Sequence, residues 1–269
     1  LDILFIDEAG QFSLTDALVA SQAAKKIVLL GDPSQLERPI KASHPPEIDM
    51  SVLQHFLAGH GTMPPDRGLF LDETWRMHRS VCGFISEQFY ESRLKNISGC
   101  DKQTISGSKL FTEPGLYFVP AKHQGNQSYS NEEVEIVARI VENLTRTGVT
   151  FTDSEGLKKQ IQREDIMIVA PYNSQVSRLK AAIGSENIGT VDKFQGGEGP
   201  VIIFSLTTSS PEDAPRGMEF LYSKNRFNVA ISRAKCIAIV VGNTALFEPA
   251  CKSPRHMELA NAFCRFREM

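Results

Sequence analysis

The sequence lacks the features of a membrane-embedded or disulfide-bonded protein. No stretch approaches the roughly 18 consecutive apolar residues that a membrane-spanning helix needs. The five cysteines are scattered, and no two form a Cys-x-x-Cys pair, so neither a disulfide framework nor a zinc site is expected. Neither an initiator methionine nor a signal peptide is present at Leu1. We therefore expect an intracellular, cytoplasmic protein with no membrane partner.

Net charge is also scarce. The formal net charge is −3, and residues 1–62 hold 4 Lys/Arg against 8 Asp/Glu, whereas the remaining residues hold 25 against 24. A nucleic-acid partner would therefore bind a local groove rather than a broad basic face. Apolar residues make up 41% of the 269 residues, which is enough for one large domain or two ordinary ones.

What the chain does contain is an alternation of short apolar runs and helical patterns. The runs are nearly continuous, which is typical of strands buried on both faces, so the predicted fold is α/β with a parallel sheet flanked by helices. Strands are predicted at 1–7, 25–32, 69–76, 115–120, 165–171, 187–194, 200–208 and 236–243. Helices are predicted at 15–24, 80–90, 131–145, 174–183, 227–234 and 257–267.

Two Pro pairs lie within residues 41–68, which are predicted to form an irregular link containing a short helix. We place a domain boundary near residue 62, so that the two predicted domains are 1–62 and 63–269. The first piece has two predicted strands, too few for an independent sheet, and is expected to be the tail of a domain whose beginning is missing.

Two early loops carry polar residues at strand ends. Asp7 and Glu8 end the apolar run of "LFIDEAGQ", at the edge where parallel sheets bind ligands, and an aspartate there can hold Mg²⁺. The alternative is a solvated turn. Gln35 in "VLLGDPSQL" follows the next strand and can contact a phosphate or a water, although alone this stretch predicts only a turn.

Trp75 and Arg76 in "LDETWRMH" could stack on a base and neutralise phosphate charge. The alternative is a core tryptophan and a surface salt bridge. Arg233 lies in the last turn of the helix-like stretch "NVAISRAK", where it could cap the helix C-terminus or reach a nucleotide.

Two later loops suggest ligand contacts. Tyr172 and Asn173 in "VAPYNSQV" are expected to be exposed and able to touch a single strand, with a helix cap as the alternative. The glycine-rich stretch "TVDKFQGGEGPVIIFSL" allows close backbone approach, and its Glu198 could accept from a ribose hydroxyl. The alternative there is a glycine-rich hairpin.

Taken in order, "DEAG", "GDPSQL", "TWRMH", "PYNSQ", "TVDKFQGGE" and "NVAISRAK" resemble motifs II to VI of superfamily 1 helicases, in the branch of the nonsense-mediated-decay RNA helicase and the replication helicase–nuclease. The resemblance covers nearly the whole chain. It implies RecA-like domains of the P-loop NTPase type, with ATP hydrolysed at the cleft between two of them. Residues 213–235 further resemble the helicase half of bacterial proteins that carry a RecB-like nuclease domain upstream.

The resemblance also implies roles for individual residues. ATP and Mg²⁺ would be the cofactors, with Asp7 as the Mg²⁺ ligand and Glu8 activating water. Gln35 would sense the γ-phosphate, and Trp75, where the family usually has tyrosine, would stack on adenine. Arg76 and Arg233 would be arginine fingers. Glu198 would contact the ribose, together with Gln195 and Gly197 of the same loop. Tyr172, Asn173 and Thr190 would face single-stranded DNA or RNA.

One motif of the family is missing. Its phosphate-binding loop, G-x-x-x-x-G-K-[ST], requires a Gly-Lys dipeptide, and the sequence contains none. We therefore expect a C-terminal fragment that is inactive alone. Its partner would be the missing N-terminal half of the same polypeptide, and that half is a candidate to contain a nuclease domain. The alternative is a non-catalytic RecA-like module that binds nucleic acid or a partner without hydrolysis.

Overall fold

The computed structural model describes residues 1–36 and 50–269, which divide into two compact units. Unit 1 comprises Leu1–Leu71 and Phe89–Glu91, and unit 2 comprises Asp72–Gln88 and Ser92–Met269. The division follows Leu71 rather than residue 62. Met63 still packs on the core of unit 1, and Arg67 donates to the Phe56 carbonyl at 3.1 Å. Part of the predicted link over 41–68 lies outside the described residues.

The strands of the described residues are β1 (Ile3–Ile6), β2 (Lys26–Leu29), β3 (Glu73–Thr74), β4 (Lys95–Asn96), β5 (Thr104–Ser106), β6 (Gly115–Pro120), β7 (Thr150–Thr152), β8 (Lys158–Gln160), β9 (Ile166–Val169), β10 (Ile188–Gly189), β11 (Gly199–Ser205) and β12 (Ala234–Gly242). Their helices are α1 (Leu14–Ser21), α2 (Val52–Leu57), α3 (Arg79–Phe89), α4 (Asn131–Leu144), α5 (Asn173–Ile183), α6 (Gly217–Leu221), α7 (Lys224–Ile231) and α8 (Pro254–Glu268).

Unit 2 is built on a five-stranded sheet in the order β10-β9-β11-β12-β6, with all neighbours parallel. All seven residues of β11 are buried, which explains why its sequence is continuously apolar rather than alternating. Helix α4 packs its apolar stripe of Val137, Ile140 and Leu144 into the same core. The predicted α/β fold, a RecA-like parallel sheet flanked by helices, is confirmed.

Unit 1 contains the parallel pair β1-β2, in register from Ile3 opposite Lys26 to Ile6 opposite Leu29. Its small core joins Ile6 and Ala17 to Val52 and Leu53 of α2, the short helix expected in the link. Ser51 caps α2 reciprocally with Gln54, since each side chain bonds the other residue's backbone N–H.

Two predicted strands are wrong in most of their length. Of 69–76 only β3 is a strand, and it pairs with β4 outside the main sheet. Of 187–194 only β10 is a strand, because the next residues close a 3-10 turn through a Lys193 N–H bond to the Thr190 carbonyl. The antiparallel sheet β5-β7-β8 escaped prediction because three-residue strands are too short to show a period.

In the described part of the chain, no helix combines the length and apolar character that crossing a bilayer requires.

Candidate nucleotide and nucleic-acid sites

The loops after β1 and β2 lie against each other at the carboxyl ends of the two strands. The Ala9 N–H donates to the Leu30 carbonyl at 2.8 Å. Gly31 has φ +154°, and a Cβ there would lie 2.8 Å from the Ala9 nitrogen, while a Cβ at Gly10 would lie 2.6 Å from the Asp32 carbonyl oxygen. Glycine is therefore required on both sides of this contact, which joins the "DEAG" and "GDPSQ" segments.

Asp7 and Glu8 are both exposed at this junction. Glu8 adopts a left-handed backbone with φ 52°, and its N–H donates to Asp7 Oδ1 at 2.9 Å. The tight turn directs two adjacent carboxylates to the surface. Mg²⁺ prefers oxygen ligands and is usually held by one or two carboxylates, so the donor set fits this ion. Across the described residues, no group of three or more His, Cys, Asp or Glu side chains is placed to hold a metal.

Gln35 is held by a residue that the sequence did not single out. Its Nε2 donates to Asp32 Oδ2 at 2.9 Å, and the Tyr90 hydroxyl donates to the same oxygen. The Ser34 N–H donates to Asp32 Oδ1 at 2.9 Å. Asp32 thus fixes both the backbone of this loop and the carboxamide of Gln35.

In unit 2, Arg76 and Glu198 are joined directly. Arg76 Nε lies 2.9 Å from Glu198 Oε2, and its Nη1 donates to the Ser232 carbonyl at 3.2 Å. Lys235 Nζ lies 2.7 Å from Glu198 Oε1. Partial burial raises the pKa of Glu198, but hydrogen bonds from Lys235 and Arg76 outweigh it, so the net pKa is lowered. The expected finger and the expected ribose ligand therefore form one charged cluster.

Trp75 is 75% exposed beside Arg76. A tryptophan that packed into the core would be buried, so the alternative interpretation of Trp75 is wrong, while its stacking on adenine stays a prediction.

Arg233 is only 3% exposed, and its Nε donates to the Val229 carbonyl at 3.2 Å, in the last turn of α7. The helix-capping contact is therefore present. A role at a nucleotide stays a prediction.

The glycine-rich loop runs from Phe194 to the start of β11 and is not a hairpin. The Gly197 N–H donates to the Phe194 carbonyl at 3.0 Å, and a Cβ at Gly197 would lie 3.1 Å from Met167. Gln195 is half-buried, and Gly196 has φ 79°. The loop places Glu198 at the amino end of β11, where Arg76 meets it.

The expectation that Tyr172 is exposed is wrong. Its side chain is 8% exposed, because the ring of Phe220 on α6 packs 5.6 Å from its own. Burial raises the Tyr172 pKa, and nearby Thr208 and Arg216 offset only part of that rise. Neither α6 nor this contact was predicted from the sequence. Asn173 is exposed and Thr190 is half-buried, which leaves their nucleic-acid roles as predictions.

A buried polar network at the carboxyl end of β11 was also missed. The Glu133 side chain is fully enclosed and accepts from Ser205 Oγ at 2.6 Å and from the Thr207 N–H at 2.8 Å. Its Oε1 lies 3.0 Å from His123 Nε2. Burial raises the Glu133 pKa, against the lowering effect of these hydrogen bonds. The only sequence signal was a glutamate at the third position of α4, after the cap Ser130.

The same network extends to two loops. Gln175 on α5 donates to Ser205 Oγ at 2.9 Å and accepts from the Ser130 N–H at 2.9 Å. Ser209 Oγ lies 2.7 Å from His123 Nδ1. Thr207 has φ 75°, an unfavourable conformation for a β-branched residue. The network therefore fixes the segment after β11 in a conformation it would not adopt alone.

A family model described as "AAA domain" matches residues 48–245. The chain is 29% identical over 258 residues to Helicase sen1 of Schizosaccharomyces pombe, which covers 89% of the chain and 14% of that protein. It is 28% identical over 255 residues to the DNA polymerase alpha-associated DNA helicase A of the same organism, which covers 90% of the chain and 37% of that protein. The chain thus spans well under half the length of both relatives.

Among solved structures, the chain is similar to Arterivirus nonstructural protein 10 (helicase) with DNA, at 16% identity and a TM-score of 0.47, over 97% of this chain and 42% of that one.

Proposed function

Because the chain belongs to the AAA domain family and its relatives support a superfamily 1 helicase domain, we propose that it is the C-terminal portion of an ATP-dependent helicase or translocase acting on single-stranded DNA or RNA. One observation carries the proposal: the Asp7–Glu8 turn and the Gln35 loop lie side by side at the carboxyl ends of two paired parallel strands.

In this proposal unit 1 acts on the phosphates of ATP. Asp7 would hold Mg²⁺, which when bound would neutralise charge on the phosphate oxygens. Glu8 would orient and deprotonate the attacking water. Gln35, its carboxamide fixed by Asp32, would hydrogen-bond to the γ-phosphate or to that water.

Unit 2 would supply the remaining contacts to the nucleotide. Trp75 would stack on adenine. Arg76 would neutralise charge that develops on the phosphates, with Arg233 as a second arginine. Glu198 orients Arg76 and would also accept a hydrogen bond from the ribose, with Gln195 and Gly197 shaping its loop.

We also propose that unit 1 is an incomplete RecA-like domain. Ile3 and Phe5 share one face of β1 and are 48% and 64% exposed, as expected of a sheet face that other segments normally cover. No Gly-Lys dipeptide supplies a phosphate cradle. The 269-residue chain alone should then bind Mg-ATP weakly and not hydrolyse it, which calorimetric titration and a phosphate-release assay would test. Robust turnover would contradict this proposal.

The main test is the ATPase activity of the whole protein with and without a single-stranded oligonucleotide. We expect stimulation by the oligonucleotide, and a loss of turnover by orders of magnitude in Glu8→Gln. Asp66→Asn removes an exposed carboxylate of the same unit and should leave turnover unchanged. A Glu8→Gln variant as active as wild type would refute the assignment.

The second candidate is a module that binds nucleic acid without hydrolysis, which the missing Gly-Lys dipeptide favours. Binding by a whole protein that shows no ATPase activity would support it. The finer resemblance of residues 213–235 favours a nuclease domain elsewhere in the polypeptide. A nuclease assay on the whole protein tests that point separately.

A further inference from the structure

Two arginines stack on one phenylalanine in unit 2. The Arg216 guanidinium carbon lies 3.8 Å from the centroid of the Phe220 ring, and that of Arg226 on α7 lies 4.6 Å away. The Phe220 ring in turn packs on buried Tyr172 at the start of α5. These four residues, here called the arginine stack, form a surface supported from below by an aromatic ring.

The arginine stack carries more positive than negative charge. Arg226 pairs with exposed Asp192 at 3.5 Å. Arg216 is exposed, and within residues 1–36 and 50–269 no carboxylate lies at ion-pair distance from it. The stack therefore places two guanidinium groups side by side on a unit whose overall charge is close to neutral.

The position of the stack links two separate segments. Asp192 belongs to the turn that follows Thr190, and Tyr172 immediately precedes Asn173. Both segments were expected to face nucleic acid, whereas nothing in the sequence assigned a role to Arg216, Phe220 or Arg226.

We propose that Arg216 and Arg226 bind the backbone phosphates of a single-stranded nucleic acid, with Phe220 holding their guanidinium groups in place. A planar guanidinium binds phosphate bidentately, and a guanidinium already stacked on a ring loses less freedom when it does so. Tyr172, too buried to stack on a base, supports Phe220 instead. This inference rests on the proposed function, because that function requires a bound strand.

The experiment measures binding of labelled dT15 and rU15 to the whole protein, without nucleotide, across a series of salt concentrations. Arg216→Gln and Arg226→Gln should each weaken binding and lower the slope of log affinity against log salt by about 0.7, the value for one lost phosphate contact on a single strand. The double variant should lose about 1.4 in slope and bind roughly tenfold or more weakly at low salt. A similar loss on both oligonucleotides indicates phosphate recognition common to DNA and RNA.

Arg139→Gln is the matched control, because Arg139 is an exposed arginine on α4 of the same unit. It should leave the slope unchanged. If the wild type binds and the stack variants keep its affinity and salt slope, the inference is wrong. A lowered melting temperature in those variants would then show that the stack has a purely structural role. If the wild type binds neither oligonucleotide and single strands do not stimulate its ATPase, the proposed function itself fails.

Discussion

At the amino ends of β11 and β12, Arg76, Lys235 and Glu198 form ion pairs whose side chains keep 28%, 31% and 42% of their exposure. At the carboxyl end of β11, the Glu133 carboxylate and the His123 ring have none. Partly exposed charges remain able to meet a ligand and contribute little to stability. An enclosed carboxylate is costly unless every oxygen is bonded. Both oxygens of Glu133 accept hydrogen bonds from other segments, and the carboxylate therefore holds those segments together. The charges at the first edge can thus meet a ligand, whereas the carboxylate at the second edge supports neighbouring segments.

The largest effect expected from this contrast is on catalysis. If the proposed function holds, Arg76→Ala in the whole protein should lower ATPase kcat by about 10³-fold or more, the effect that arginine fingers have in phosphoryl-transfer enzymes. Its unfolding midpoint should stay near that of wild type, because the lost ion pair is partly exposed. Steady-state kinetics and urea titration measure both. Near-normal turnover would remove Arg76 from the nucleotide site.

The next largest effect should be on stability, at the opposite edge. Glu133→Ala leaves Ser205, His123 and the Thr207 N–H without their shared acceptor, which should cost about 3–5 kcal/mol of unfolding free energy. Urea unfolding of the chain measures this loss of unfolding free energy. Glu135→Ala, an exposed glutamate on the same helix, should change it by less than about 0.5 kcal/mol. Equal losses in the two variants would contradict a supporting role for the network.

A smaller effect concerns pH. Because the folded-state pKa of Glu198 is lowered, its ion pairs stabilise the fold above the unfolded-state pKa of about 4.3 and lose this contribution as the pH falls through the folded-state value. At pH 7, Glu198→Gln should therefore be less stable than wild type by under about 1 kcal/mol, given its exposure. Unfolding curves of both proteins should differ in stability at pH 7, and this difference should shrink as the pH is lowered below the unfolded-state pKa. If the stability difference between wild type and Glu198→Gln grew as the pH fell, the stabilising role of the Glu198 carboxylate would be contradicted.

The smallest effect is one of reactivity. Cys236 is fully buried near the start of β12, and burial raises its pKa to about 12, while Cys251 is exposed. Treatment of the native chain with a maleimide should modify Cys251 and leave Cys236 intact until urea is added. Mass spectrometry of peptides identifies the modified residue. Rapid native labelling of Cys236 would show that the amino edge opens in solution.

Most strands of the main sheet were predictable because they are short apolar runs, and β9, β11 and β12 are buried almost throughout. The sequence predicted β6 to the residue and β9, β11 and β12 to within a few residues. It failed at 69–76, where two of the apolar residues, Leu69 and Leu71, stay 91% and 82% exposed. Apolar character locates a strand only where a sheet is present to cover it.

The candidate site was predictable as a set of segments and not as a geometry. The order of motifs alone located Asp7, Glu8 and Gln35, and β1 and β2 place them together because carboxyl ends of parallel strands share an edge. Asp32, which holds Gln35, was indistinguishable from any aspartate in a turn. Its role depends on Tyr90, far along the chain.

By itself, then, the sequence determined the α/β class, the positions of most strands of the main sheet and the family, since local apolar runs and motif order are encoded residue by residue. Only the tertiary structure decided which side chains face solvent and which are enclosed. It buried Tyr172 under Phe220, paired Arg76 with Glu198 and enclosed Glu133. These outcomes depend on contacts between residues distant in the chain, and no local pattern records what will pack against a given side chain.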